Sequence, residues 1–266
     1  MCTLTWHLEP EGFDLFFNRD EMHTRRLALP PTVELEDGVS IVAPTDADAG
    51  GTWIAVNSGG LAVCLLNGHQ AADRASAAAV SRGLLVRSLA SAGSCAEVVR
   101  RVRAAELRQY RSFRLVAVEP AQQPLLMAWD GRELGSRSLS GADRPLVSAP
   151  PVPAALAMSP MSPGSAGSLG TSAQRRTQLE LLQHERGTLT AADLDRFHRS
   201  HVPARGPHSV CMHRGDARTV SLTHVRVSSG SVRLRYSPGS PCEDAGSETV
   251  RLRRALAPAS GAPTAR

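Results

Sequence analysis

Lysine is missing from this chain. All 30 basic residues are arginine, set against 25 acidic residues, for a net charge of +5. The arginines are scattered and not interleaved with aromatics, which argues against a nucleic-acid partner. Aromatic residues make up 4% of the 266 positions, so a core must be built mostly of Leu, Val and Ala. No apolar run approaches the ~18 residues of a membrane span, and no signal peptide precedes the first strand-like stretch. No integral membrane segment is therefore expected, and the expected location is cytoplasmic. The five cysteines, at positions 2, 64, 95, 211 and 242, are irregularly spaced and form no C-x-x-C pair. They read as free thiols in a reducing compartment rather than a disulfide framework.

What is present is concentrated at the front. Met1-Cys2-Thr3-Leu4-Thr5-Trp6-His7-Leu8 and Phe13-Asp14-Leu15-Phe16-Phe17 are apolar, β-branched and aromatic runs flanking Glu9-Pro10-Glu11-Gly12. This is a hairpin pattern. It brings Cys2, at one open end, beside Asn18-Arg19-Asp20-Glu21, following the other. Methionine removal would leave Cys2 with a thiol and a free α-amine on one residue. The amine titrates near ~7.7–8.0 and the thiol near ~8.5. The terminus can then serve as base for its own nucleophile. A buried, inert cysteine is the competing reading.

Along the chain, residues 22–37 read as an extended loop around Pro30-Pro31, and Val39 to Val42 as a short strand. Gly50-Gly51-Thr52-Trp53 offers glycines for positive φ or for close backbone approach. Ile54 to Asn57 and Leu61 to Leu66 read as strands about Ser58-Gly59-Gly60; the second is apolar throughout, as a strand covered on both faces would be. It ends at Asn67-Gly68, where Asn67 is either turn chemistry or an amide donor for an oxyanion. Residues 71–110 read as helical, with a capping box at Ser94 to Glu97. Strands are expected at Phe113 to Val118, Pro124 to Trp129, Arg132 to Leu139 and Leu146 to Ser148. Helices are expected at Ala173 to His184 and at Ala191 to His198, the latter opened by a second box at Thr190 to Asp193. Strands follow at His208 to His213, Arg218 to Val227 and Val232 to Tyr236. Residues 149–172 are low in complexity and 255–266 are expected to be a disordered tail, leaving one domain over 1–254. The pattern by itself gives a mixed α+β fold.

Cys2, the Asn18 to Glu21 tetrad, Gly50-Gly51-Thr52-Trp53, Leu66-Asn67, Ser81-Arg82-Gly83 and Ser209 to Arg214 with Asp216 to Ser221, in that order, resemble the NRDE family. That family includes the animal Transport and Golgi Organisation proteins. The same stretches are similar, more distantly, to the choloylglycine hydrolase and penicillin V acylase group of N-terminal nucleophile hydrolases. The resemblance implies a four-layer αββα sandwich, two antiparallel sheets between helix layers. It implies a cysteine amidohydrolase or acyltransferase acting on a non-peptide C–N bond of a small-molecule amide or acyl substrate. Cys2 matches the nucleophile and Asn67 the oxyanion-hole asparagine. An ungapped match puts Asn18 at the hydrolases' arginine and Glu21 at their aspartate. A one-residue shift instead selects Asp20, with Arg19 as an orienting partner. Ser148 stands where the hydrolases carry a mid-chain asparagine. Trp53, Ser148, His213 and Arg214 are expected at the substrate rim. The alternative is a non-catalytic carrier using the same pocket for haem or an acyl lipid.

The histidines at 184, 198, 201, 208 and 213 lie close enough in sequence to raise a metal. Pro203 argues against a helix carrying His198 and His201 on one face, and Cys211 is the one thiol near them. The expectation is no metal and no resident cofactor, with haem only as cargo. Cys211 is assigned to core packing, and a Cys211–His213 thiol–imidazole pair is left open.

Overall fold

The computed structural model describes residues 1–68, 80–148, 170–243 and 245–255. Strands β1 (Thr3–Glu9) and β2 (Gly12–Met22) form the opening hairpin. Gly12 is required at its turn, because a Cβ there would stand 2.0 Å from the carbonyl oxygen of Val227. The tetrad belongs to β2 and does not follow it, since the strand runs on to Met22.

Strands β3 (Leu29–Glu36), β4 (Val39–Thr45), β5 (Ile54–Asn57), β6 (Ala62–Asn67), β7 (Phe113–Val118), β8 (Leu125–Trp129) and β9 (Leu134–Ser138) make a seven-stranded antiparallel sheet in sequence order. Strands β10 (Leu146–Val147), β11 (Ala217–Val227), β12 (Ser231–Pro238) and β13 (Glu248–Arg253) join the hairpin in a six-stranded sheet ordered β10-β1-β2-β11-β12-β13. The helices among the described residues are α1 (Arg82–Leu89), α2 (Cys95–Ala104), α3 (Thr171–Arg186) and α4 (Ala191–His198).

Alternation along the strands creates three apolar layers. Leu4, Trp6, Phe13, Leu15 and Phe17 face Trp53, Ile54, Val56, Cys64 and Leu66 between the sheets. Ala55, Val63, Leu65, Leu115 and Ala117 point the other way, onto Leu85, Leu89, Val98 and Val102 of α1 and α2. Phe16 and Leu222 pack against Leu179 of α3 and Leu194 and Phe197 of α4. The result is the four-layer sandwich that the resemblance implies. Both faces of β6 are covered as far as Leu66, which is why Ala62 to Leu66 is uninterruptedly apolar.

Capping follows the sequence in part. Thr190 and Asp193 form the full reciprocal box at α4. Ser94 Oγ accepts the Glu97 N–H at α2, but the Glu97 carboxylate turns to the Gly93 N–H instead of completing a box.

Two further expectations need correction. Residues 29–36 are strand, because β3 is a sheet edge, where Pro30 and Pro31 cost no ladder bonds to a neighbour. Residues 208–213 are not a strand; side-chain bonds pin them as a loop, with one isolated bridge between His213 and Arg218. The sequence reading also has no counterpart for β13. The helical expectation over 71–79, the low-complexity stretch to 169 and the tail beyond 255 lie outside the described residues.

Candidate active site

The two faces of the hairpin sort the tetrad. Odd positions of β2 and even positions of β1 point between the sheets, so Arg19 and Glu21 share a side with Cys2. Asn18 and Asp20 point toward α3 and α4. Cys2 is half-buried at the lip of a cavity of about 420 Å³, which Arg19, Asp20, Trp53 and Asn67 also line. Its Sγ lies 3.9 Å from the Asp20 carbonyl oxygen. Burial pushes the Cys2 thiol above its ordinary value, and the terminal ammonium opposes that shift.

Asp20 is the hub. Its Oδ2 accepts from Arg175 Nη1 and Nη2 at 3.2 and 3.1 Å and lies 3.4 Å from the Met1 ammonium nitrogen. Its Oδ1 accepts from the Thr219 hydroxyl at 2.6 Å. Arg175 is fully buried on α3 and also donates to the carbonyls of Met1 (2.8 Å) and Ser209 (2.7 Å) and to Thr3 Oγ1. One arginine thus ties the chain terminus, the carboxylate and the 209–213 loop together. Opposite charges paired at zero exposure are strongly coupled.

On the cavity side, the Arg19 guanidinium stacks 4.4 Å above the Trp53 ring and donates to Asp46 Oδ2 at 2.8 Å. That cation–π contact and ion pair orient the arginine across the mouth. Asp46 is held in turn by Arg25, at 2.6 Å, and by the N–H groups of Asp48 and Ala49. Gly51 earns its place by close approach: a Cβ there would stand 2.4 Å from the Gly83 carbonyl carbon at the start of α1. Gly50 takes φ +68° beside it. The Gly-Gly and Ser-Arg-Gly motifs are therefore two halves of one contact.

The remaining expected residues fall in different places. Asn67 ends β6 on the cavity wall. Ser148 is buried opposite Cys2 and its N–H donates to the Cys2 carbonyl at 2.9 Å, but it is not a wall residue. Asn18 is corrected from a site residue to a core one. Its Nδ2 donates to the carbonyls of His198 and Val210, which directs Oδ1 at His198 Nδ1, 3.0 Å away. His198 therefore carries its proton on Nδ1, and Nε2 accepts from the Thr5 hydroxyl at 2.8 Å. Full burial lowers its pKa to about 3, so it stays neutral. Arg214 pairs with Asp216 at 2.6 Å, an exposed contact away from the cavity wall. His213 also lies off that wall, beside Cys211, His201 and Cys242. Arg175, Thr219 and Asp46 are the residues that sequence reasoning missed. Arg175 did leave a signal, since it falls in phase with Leu179 and Leu182 on the buried stripe of α3, where a charge demands a partner.

The comparisons agree with this architecture. Penicillin V acylase from Agrobacterium tumefaciens superposes with a TM-score of 0.54 at 10% identity, over 90% of this chain and 83% of that one. Two variants of conjugated bile acid hydrolase from Clostridium perfringens give 0.57 and 0.59, again at 10% identity. They cover 94% and 97% of this chain and 92% and 98% of theirs. At such identity the likeness is one of fold. No curated protein matches the chain in sequence. The model of the family described as Transport and Golgi organisation 2 matches residues 1–140, more than half of the chain. With its Cys2, Asn-Arg-Asp-Glu and Gly-Gly-Thr-Trp motifs all inside that match, the chain belongs to the Transport and Golgi organisation 2 family.

Proposed function

We propose that the chain is an N-terminal cysteine hydrolase that cleaves a non-peptide amide bond of a small molecule. One observation carries the reading: Cys2 and Asn67 line a single cavity, and the Asp20 carboxylate, turned to the other side of the strand, lies 3.4 Å from the terminal ammonium. With Met1 in place, the ammonium beside Asp20 belongs to Met1. Once Met1 is removed, the charged amine belongs to Cys2 itself, next to a carboxylate already held by Arg175 and Thr219. The amine in its free form takes the thiol proton, and the thiolate attacks the amide carbonyl. The side-chain amide of Asn67 donates to the oxyanion, a contribution of roughly 3–4 kcal/mol where such a donor operates. The resulting ammonium returns its proton to the leaving nitrogen as the C–N bond breaks. Water, deprotonated by the same amine, then releases the acyl group from the thioester.

A carrier of haem or an acyl lipid is the rival, favoured by the upward push that burial gives the Cys2 thiol while Met1 remains. The deciding experiment is an acyl-amide substrate screen on protein with an authentic N-terminus, beside the same protein with an N-terminal extension. Hydrolysis by the first and none by the second supports the enzyme. Met1 retained on the intact protein, with Cys2 inert to thiol reagents, supports the carrier.

A further inference from the structure

Away from this cavity, four side chains that the proposed reaction does not use converge. They are His201, Cys211, His213 and Cys242, and their ligand atoms all lie within 4.8 Å of one another. His201 Nε2 is 3.2 Å from His213 Nε2, and His213 Nε2 is 3.5 Å from both Cys211 Sγ and Cys242 Sγ. A tetrahedral zinc ion bound at ~2.3 Å to sulfur and ~2.05 Å to nitrogen has donor-to-donor edges of about 3.6 Å for S···N and about 3.3 Å for N···N. The three edges that meet at His213 Nε2 match these within a few tenths of an ångström, and the other three lie within 4.8 Å. From this geometry we infer that the chain holds one structural zinc ion in a Cys2His2 site made by His201, Cys211, His213 and Cys242.

The backbone already presents the donors. The Cys211 N–H donates to Ser200 O at 3.0 Å and the His213 N–H to Gly206 O at 3.1 Å. Ser209 Oγ donates to Cys211 O at 2.6 Å. On the opposing loop, Arg199 Nη1 donates to Pro241 O at 2.8 Å and the Gly239 N–H to Val220 O at 2.8 Å. Two loops therefore meet with donors preset, one after α4 and one after β12. On coordination both thiols bind as thiolates and release their protons to solvent, while both imidazoles bind neutral through Nε2. His213 Nδ1 then carries a proton. Arg205 Nη2, 3.3 Å from that nitrogen, must turn away; it is exposed and already within 3.4 Å of Glu243 Oε1. With four protein donors the site has no open position, which marks it as structural rather than catalytic.

The location gives the ion a task. Ser209 O accepts from Arg175, and Thr219 Oγ1 accepts the Met212 N–H while donating to Asp20. A metal at Cys211 and His213 would anchor the loop against which the Asp20 hub leans. This inference stands whether or not Cys2 is a nucleophile.

The test is metal content of the full chain purified without chelator, followed by titration of the metal-free protein with cobalt(II). The expected results are one zinc per chain and a tetrahedral cobalt spectrum with thiolate-to-cobalt charge transfer. Cys242→Ser and His201→Gln should each weaken binding by more than the roughly 10–100-fold that even outer-shell partners contribute. Both positions are at least partly exposed, so each variant should fold, and circular dichroism checks that it does. Cys2→Ala should keep the ion. The inference is overturned by sub-stoichiometric metal, by full binding in both ligand variants, by loss of binding in Cys2→Ala, or by a Cys211–Cys242 disulfide in the native protein.

Discussion

Replacing Arg175 with methionine keeps much of the side-chain volume and removes the charge that faces Asp20. The arginine is fully buried, as is the Asp20 side chain, and it makes two hydrogen bonds to Oδ2. Three further acceptors lose a donor: the carbonyls of Met1 and Ser209 and the hydroxyl of Thr3. Removing one member of a buried pair costs about 3–5 kcal/mol, because a desolvated charge is left behind. Thr219 and the terminal ammonium still serve Asp20, which places the expected loss at the lower end, near ~3 kcal/mol. Urea unfolding at neutral pH measures it. Asp20→Asn alone strands the arginine instead, and the double variant should cost less than the sum of the singles, by about 1–3 kcal/mol. An Arg175→Met protein within about 1 kcal/mol of wild type, or additive costs in the cycle, would refute the hub.

Burial keeps His198 neutral down to a pKa of about 3, against an ordinary value of 6.5. Its folded pKa is the lower one, so the unfolded chain takes up the proton first; stability is whole above pH ~6.5 and declines as pH falls toward ~3. His198→Gln should flatten that decline by about 1.4 kcal/mol per pH unit across the window, as read from urea midpoints at stepped pH, and an unchanged slope would contradict the assignment. Gly51→Ala must push apart the backbones at Gly51 and Gly83, and a loss of about 1–3 kcal/mol in chemical denaturation is expected. An alanine tolerated there without loss would mean that the contact is not tight. Chelator treatment should lower the melting temperature of the wild-type chain and leave that of Cys242→Ser unmoved, since ligand-linked stability vanishes with the site.

How much of this was legible in the sequence depended on whether a feature is local. The hairpin, β5, β6 and the α4 capping box are written in contiguous residues, and the structure has them at or near the expected bounds, except that β2 runs on through the tetrad to Met22. Gly50 and Gly51 do both things that glycine permits, positive φ at one and close approach at the other. The side chain of Asn18 was not legible, because the tetrad alone does not say which of its members face the cavity. That depends on the pleat, and the pleat sets Arg19 toward Trp53 and Asn18 toward His198. Apolar alternation misled at 208–213, where Val210 and Met212 are buried in a loop pinned by Ser209 and Thr219. The Asp20–Arg175 pair joins residues 155 positions apart, and the four metal-type donors span two loops. Neither leaves a spacing that a single sequence can reveal.

The most direct test of the proposed chemistry is the intact mass of the protein after brief exposure to an activated acyl donor, with peptide mapping of the adduct. The expected result is a chain lacking Met1, one acyl group on Cys2, and none on a Cys2→Ala control. Acylation elsewhere, or a retained Met1 with an unmodified Cys2, would contradict it.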